Sequence, residues 1–412
     1  MKLTDGADLI ESRSYAENGP PHESWKQLRE HSPVHRCEPE GWGPFWAITK
    51  HEDICRIGKD PESFLSYPGI TKQPLGQTID REEGIGAMRT IIEMDPPQHR
   101  EFRKVASPFF TPRAMRHVES IVQESARDLL DELAGRDGEC DFAMDVAVKH
   151  PLRVLCTILG VSREQEPRIL ELTNQLFAGD DEELGFKGED RDAEIMKLGL
   201  ELFQLFEPII ADRRANPRDD LATVLANGKV NGEPMGPMET LGYYLITFTA
   251  GHDTTKNALA GGMHALVNNP EQFQKLRNDP GLAKTAVEEI VRWTSPVNYM
   301  KRTASRDAVV GEQKIAEGEE VILFYASGNR DADVFDEPFA FRVDRTPNRH
   351  IGFGHGEHFC LGAHLARRSQ VALITELARR VESVEQAGPE QWIESSFVVG
   401  LKHLPVRYKM AD

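Results

Sequence analysis

The stretch from His350 to Gly362, HIGFGHGEHFCLG, gathers groups able to do chemistry: one cysteine, Cys360, among glycines and histidines, with a helical pattern following over residues 361–381. A cysteine at or just before a helix N-terminus meets free backbone N–H groups and the positive end of the helix dipole, which favour a thiolate. Gly354 and Gly356 allow a sharp turn and close approach to a flat partner, and Gly362 removes a side chain where the helix would press on it. The chemistry is that of a metal-bound thiolate in a glycine-lined turn. Two plainer readings stand beside it. A lone cysteine is ordinarily a buried structural residue. Alternatively His355, His358, Cys360 and His364 are close enough in sequence to bind zinc, although zinc gives no reason for the glycines or for Phe353.

A second group lies in TAGHDTT, residues 249–255, where polar Asp253 and Thr254 interrupt an apolar helical pattern beside small Ala250 and Gly251. Small residues there admit a ligand or let the helix deform; the plainer reading is a cap in a broken helix. A third is His99 and Arg103, four apart and therefore on one helix face. Such a pair is usually a solvated surface.

These groups need elements to hold them. Pro237 to Asn268 reads as one helix of 32 residues, roughly 48 Å long, which must cross the whole molecule. Helical patterns also cover Glu23–His31, His51–Asp60, Arg113–Leu133, Ala143–Leu159, 164–178 and 190–213, with a helix starting near Asp95 and another after Asp279 and Pro280. PVHRC and FWAIT, within Ser32–Thr49, read as a hairpin. Val297–Arg302 and 321–327 read as strands, and SSFVVGLKHLPVRY as a hairpin turning at Gly400. Residues 1–22 read as a loose lead-in. Residues 61–90 are Gly- and Pro-rich without period, and GDDEELGFKGED is a linker between two helices that fits a mobile lid or a plain surface turn.

Composition narrows the class. The chain has 412 residues, 39% hydrophobic and 28% charged, as a globular protein does, and a net charge of −18, which disfavours nucleic acid as partner. Five widely spaced cysteines suit a reducing, cytoplasmic setting. No apolar run approaches the roughly 20 residues of a membrane span, so no membrane anchor is expected.

Phe353, Gly356, Cys360 and Gly362 match the signature Phe-x-x-Gly-x-x-x-Cys-x-Gly, and the chain resembles the cytochromes P450, above all soluble bacterial members such as terpineol and camphor hydroxylases. The resemblance covers nearly the whole chain. It implies one domain over 1–412, mainly α-helical with a small β region. It implies haem b with Cys360 as the axial thiolate on iron, and O2 as co-substrate. His99 and Arg103, with Arg302, His350 and His358, match propionate-binding positions. Asp253 and Thr254 match the family's acid–alcohol pair, with His252 where many relatives carry Glu. Glu289 and Arg292 match a structural Glu-x-x-Arg pair, with Arg345 as third member. Residues 61–90 correspond to the loop roofing the substrate.

The implied reaction is insertion of one oxygen atom into an unactivated C–H bond. The substrate expected is small to medium and apolar, a monoterpenoid or alkyl-aromatic. The aligned pocket residues Ile246, Thr249, Ala250, Val297, Phe397 and Val398 are mostly apolar, with Asn298 and Tyr299 as further hydrogen-bonding groups. The partner expected is an acidic 2Fe–2S ferredoxin with a separate reductase, steered by Arg100, Arg103, Lys104, Arg113, Arg116, Arg367 and Arg368. Other classes are a peroxygenase, which would carry arginine in place of the acid–alcohol pair, a haem-thiolate sensor without turnover, a steroid or fatty-acid hydroxylase of the same fold, and a zinc hydrolase.

Overall fold

The computed structural model describes residues 3–76, 90–116, 118–177, 181–186 and 191–411. The chain is 52% helical and 14% strand, a mainly α fold with a small β region. The helix Pro237–Asn268 has the bounds its pattern predicts. Proline at its first position suits a helix start, and Glu239 Oε2 accepts the Gly236 N–H at 2.8 Å. Its two halves serve two hydrophobic cores. Leu241 to Phe248 pack with Leu155, Phe206 and Leu225. Ala258 to Leu266 pack with Val287, Ile290, Leu373 and Leu377. The polar residues 252–257 fall at the join, so the helix carries them into the middle of the molecule.

Two smaller cores lie on the two faces of a five-stranded mixed sheet, in the order Val34–Cys37, Phe45–Ile48, Glu320–Phe324, Tyr299–Ala304, Phe64–Leu65. The hairpin of Val34–Cys37 and Phe45–Ile48 is antiparallel, as its alternation predicts. Tyr299–Ala304 lies between Glu320–Phe324 and Phe64–Leu65, and it brings Arg302 to the inside of the molecule.

The fully buried Glu289 fastens the irregular region before the cysteine loop. Arg292 gives it two bonds of 2.7 Å, and Arg345 Nε approaches its oxygens at 3.1 and 3.0 Å. Arg292 also donates to the Asn329 carbonyl at 3.0 Å, and Asn329 Oδ1 accepts the Ile351 N–H at 2.8 Å. The ion cluster is thus one residue removed from the loop that bears Cys360.

Three expectations fail, and one helix is new. The lead-in is ordered: Ala7–Ile10 and Ser12–Asn18 are helical, and Leu9, Ile10 and Tyr15 are buried in a core. A helix over Pro270–Asn278, unread in the sequence, follows the central helix after a break at Asn269 and Pro270. Tyr325–Gly328 is a helical turn rather than the end of a strand. Gly400 is no hairpin turn: Leu401–His403 pairs with Gln391–Trp392, and Pro405–Met410 with Val381–Gln386 and Glu139–Asp141. Gly400 is instead a point of contact, since a Cβ there would overlap the Asn257 side chain on the central helix. The roofing loop and the lid linker lie partly outside the described residues. Within the linker, Asp181 is buried and accepts N–H bonds from Glu183, Leu184 and Glu394 and the ammonium of Lys402.

Candidate functional site

A cavity opens between the central helix, the cysteine loop and the strand of Arg302, with about 1520 Å³ of space not occupied by protein atoms, part of it open to solvent. Cys360 lines it, with Phe353, Gly354, Leu361 and Gly362. The cysteine precedes the helix Ala363–Arg380, and its N–H donates to the Phe353 carbonyl at 2.9 Å. Gly354 and Gly356 both take the left-handed conformation, and a Cβ on Gly356 would collide with the Gly58 carbonyl. A Cβ on Gly362 would meet no protein atom within 4 Å, so this glycine leaves room on the cavity side.

Burial pushes the Cys360 thiol upward, and the opposing Gly362 N–H, Arg103 and Arg367 only partly offset it. The helix terminus alone therefore does not secure the thiolate the sequence suggests; a bound metal cation deprotonates a coordinating thiol outright.

One wall of the cavity is cationic. His99, Arg103, Arg302 and His358 all line it. The His99 and His358 rings lie 4.1 Å apart. Burial and the neighbouring Arg103 bring His99 down to about 4; burial, Arg302, His99 and Arg103 bring His358 down to about 2. Both imidazoles are therefore neutral at pH 7. Arg302 donates to the Lys301 carbonyl and Arg103 to the Phe359 carbonyl, and among the described residues neither has an acidic partner. His99 Nδ1 is buried and unpaired. Two unneutralised guanidiniums and an idle ring nitrogen on one wall fit the carboxylates of a dianionic ligand. Together with the thiol and the glycine floor, they fit a flat, metal-bearing, dianionic macrocycle. The zinc reading finds no cluster: no three His, Cys, Asp or Glu side chains among the described residues are grouped to hold a metal.

On the central helix Thr254 lines the cavity, and its Oγ1 donates to the Ala250 carbonyl at 2.7 Å. Asp253 is buried beside it but does not line the cavity. It forms an ion pair with Lys256, which reaches Asn174 Oδ1 at 3.0 Å. His252 is fully buried, with Nε2 3.1 Å from the Val148 carbonyl and Nδ1 3.8 Å from Asp253 Oδ1.

Ile246, Ala250 and Val297 line the cavity. Thr249 does not: it is buried and its hydroxyl turns back to the Leu245 carbonyl at 2.9 Å, while Thr247 faces the cavity. Phe397 packs edge-on against Tyr299, and Val398 pairs with Val297 from behind; neither lines the cavity. His350 is also elsewhere. Its Nε2 lies 2.9 Å from Glu288 and its Nδ1 accepts the Gly352 N–H at 3.2 Å. With both nitrogens engaged outside the cavity, it does not join the cationic wall. Ile91, Ile92, Phe110, Val154 and Leu155, which the sequence reading passed over, complete the apolar lining; only tertiary packing brings them there.

The family model for cytochrome P450 matches residues 15–280 and 281–410. Cytochrome P450-terp from a Pseudomonas species is 35% identical over 98% of this chain and 97% of its own. Linalool 8-monooxygenase from Pseudomonas putida is 34% identical over 94% and 95%. The crystal structure of CYP108D1 from Novosphingobium aromaticivorans superposes with a TM-score of 0.91 over all of both chains, at 35% identity.

Proposed function

The chain belongs to the cytochrome P450 family and is a monooxygenase of that family, and on that premise we propose that it hydroxylates a small to medium apolar substrate, a monoterpenoid or an alkyl-aromatic. The observation that carries the reading is the meeting at one cavity of Cys360, the cationic wall and Thr254, with apolar side chains over the rest. The group we assign to the cavity is haem b, with Cys360 as iron ligand and His99, Arg103, Arg302 and His358 on its propionates.

When bound, haem supplies dioxygen activation, and thiolate ligation favours O–O cleavage. The balanced change is R–H plus O2, two electrons and two protons to R–OH plus water. The chain's own part is positioning and proton supply. Thr254 Oγ1, whose proton is given to the Ala250 carbonyl, presents a lone pair to the cavity and would donate to dioxygen only by turning from that carbonyl. Asp253 holds the next proton position, one residue away and buried. Ile91, Ile246, Val154 and Val297 exclude water and orient the substrate by shape.

The substrate class is supported by this lining and by a relative named for linalool. Arg103 and Arg302, the arginines of the lining among the described residues, are committed to the propionate wall, which leaves no other described arginine there to hold a fatty-acid carboxylate. We further propose a cytoplasmic enzyme reduced by a 2Fe–2S ferredoxin with its own reductase. Among the described residues no helix is long and apolar enough to cross a membrane.

Titrating the purified ferric protein with monoterpenoids, alkyl-aromatics, steroids and long-chain fatty acids tests the substrate class. A low- to high-spin change in the visible spectrum is expected with the first two. A response confined to steroids or fatty acids overturns the choice.

A further inference from the structure

Phe353, which opens the cysteine motif, is held by charge as well as by apolar packing. Arg367, on the helix after Cys360, lays its guanidinium carbon 4.3 Å from the centre of the Phe353 ring. His350 meets the same ring with centroids 5.7 Å apart. Glu288 ties these two together. It accepts Arg367 Nε at 2.6 Å and Nη2 at 2.9 Å, a two-pronged bond, and His350 Nε2 approaches it at 2.9 Å. Because the Gly352 N–H donates to His350 Nδ1, the ring's own proton sits on Nε2 and points to Glu288.

The neighbouring Glu289 faces inward to Arg292 and Arg345, so the two adjacent acids serve different clusters. Phe353 in turn accepts the Cys360 N–H through its carbonyl. The Arg367 cation is thus one aromatic residue away from the cysteine. The Arg367 and Glu288 side chains are each 29% exposed, too buried for water to screen them fully.

Resting on the haem-thiolate reading above, we propose that Glu288 and Arg367 are a positioning pair that sets the charge behind the Cys360 ligand and thereby the ease of reducing the haem iron. His350 keeps the Glu288 carboxylate in place. The two charges act in opposite senses. Reduction adds an electron to the site, so the guanidinium favours it and the carboxylate opposes it. The fork and the stacking on Phe353 hold both at fixed distance, which a mobile surface pair would not do.

The test is a dithionite titration of reduction potential on the haem-loaded wild type and three variants. R367M is expected to be harder to reduce than wild type, E288Q easier, and R367K between R367M and wild type because it keeps the charge without the fork. A brace for the fold alone would lower thermal stability and haem retention in R367M and E288Q together, without splitting their potentials. Equal potentials, or shifts of the same sign, overturn the proposal. Should R367M fail to retain haem, E288Q decides: a raised potential supports the pair, and an unchanged or lowered one refutes it. The wild-type spectrum of the reduced carbonyl complex separates this from the underlying reading. A wild type without the thiolate signature sinks the haem-thiolate reading itself, whereas a normal signature with unsplit potentials sinks only the pair.

Discussion

Asp253 is bound by Lys256, one turn further along the same helix, and Lys256 in turn reaches Asn174 on the helix Glu166–Phe177. The carboxylate beside Thr254 is therefore anchored away from the cavity, with Oδ2 buried and unpaired.

For turnover this anchoring has measurable effects. Asp253→Asn should lower kcat by about 10²-fold if the acid supplies protons. Thr254→Ala should keep haem and substrate binding while diverting electrons to peroxide. Lys256→Met, which leaves a buried carboxylate alone, should cost about 3–5 kcal/mol of stability. Stopped-flow turnover, peroxide assay and denaturant unfolding read the three. Full rate and full coupling in both of the first two variants would remove the acid–alcohol assignment.

Cys360→Ala should abolish the thiolate-type spectrum of the reduced carbonyl complex while leaving the secondary structure unchanged by circular dichroism. A spectrum identical to wild type would exclude Cys360 as iron ligand.

Glu289 sits between two buried guanidiniums. Glu289→Gln leaves both under-neutralised in the interior, and a loss of about 3–5 kcal/mol is expected from equilibrium unfolding. A loss below about 1 kcal/mol, typical of an exposed pair, would mean the cluster contributes little to the fold.

His403 joins Asp141 Oδ2 at 2.5 Å to Glu183 Oε1 at 3.0 Å. Partial burial lowers its proton affinity, but the two carboxylates outweigh that and raise it above the usual imidazole value. A raised folded value means that the protonated form stabilises the fold. This contribution is complete below the unfolded imidazole value of about 6.5. It is lost as pH rises through the higher folded value. Hydrogen exchange over residues 181–186 should therefore quicken as pH rises through that window, beyond the intrinsic base catalysis of exchange. His403→Gln should remove the excess; an identical excess in the variant would assign it elsewhere.

On the cysteine side, Arg100 pairs with Glu357, Lys104 with Glu101, Arg367 with Glu288 and Arg368 with Glu119. Arg113 and Arg116 are exposed and have no acidic partner among the described residues. Reversing Arg113 and Arg116 to Glu should slow reduction by an acidic ferredoxin and weaken its dependence on salt, leaving substrate binding unchanged. A first-electron rate insensitive to both changes would move the docking face.

The parts legible in sequence are those with a local cause. Proline at one end and the Asn269–Pro270 break at the other fix the bounds of Pro237–Asn268. The glycines around Cys360 declare a turn that only they can make. What was misread depends on distant packing or on fine phase. Thr249 stands five residues before Thr254, about 140° round the helix, whereas Thr247 stands seven before, about 20° from it. An alignment by position cannot see that difference. His350 is a plausible anion ligand by type, and only Glu288, sixty-two residues earlier, draws it elsewhere. Leu9, Ile10 and Tyr15 lie in a polar segment that has no strong period of its own; their partners are far along the chain.

Those first residues have a consequence for how the enzyme is made. Tyr15 donates to the Leu9 carbonyl at 2.8 Å and accepts Asn298 Nδ2 at 2.9 Å. Asn298 also donates to the Ser396 carbonyl, and Ser396 Oγ donates to the Ile10 carbonyl at 2.6 Å. Asn298 adjoins Val297, a wall of the cavity. Early, middle and late segments thus clasp one another directly behind that wall. During synthesis the first helices leave the ribosome long before residue 396 exists, so the wall can close only once residue 396 has emerged. A nascent chain halted before residue 396 lacks this clasp and has no finished place for a substrate.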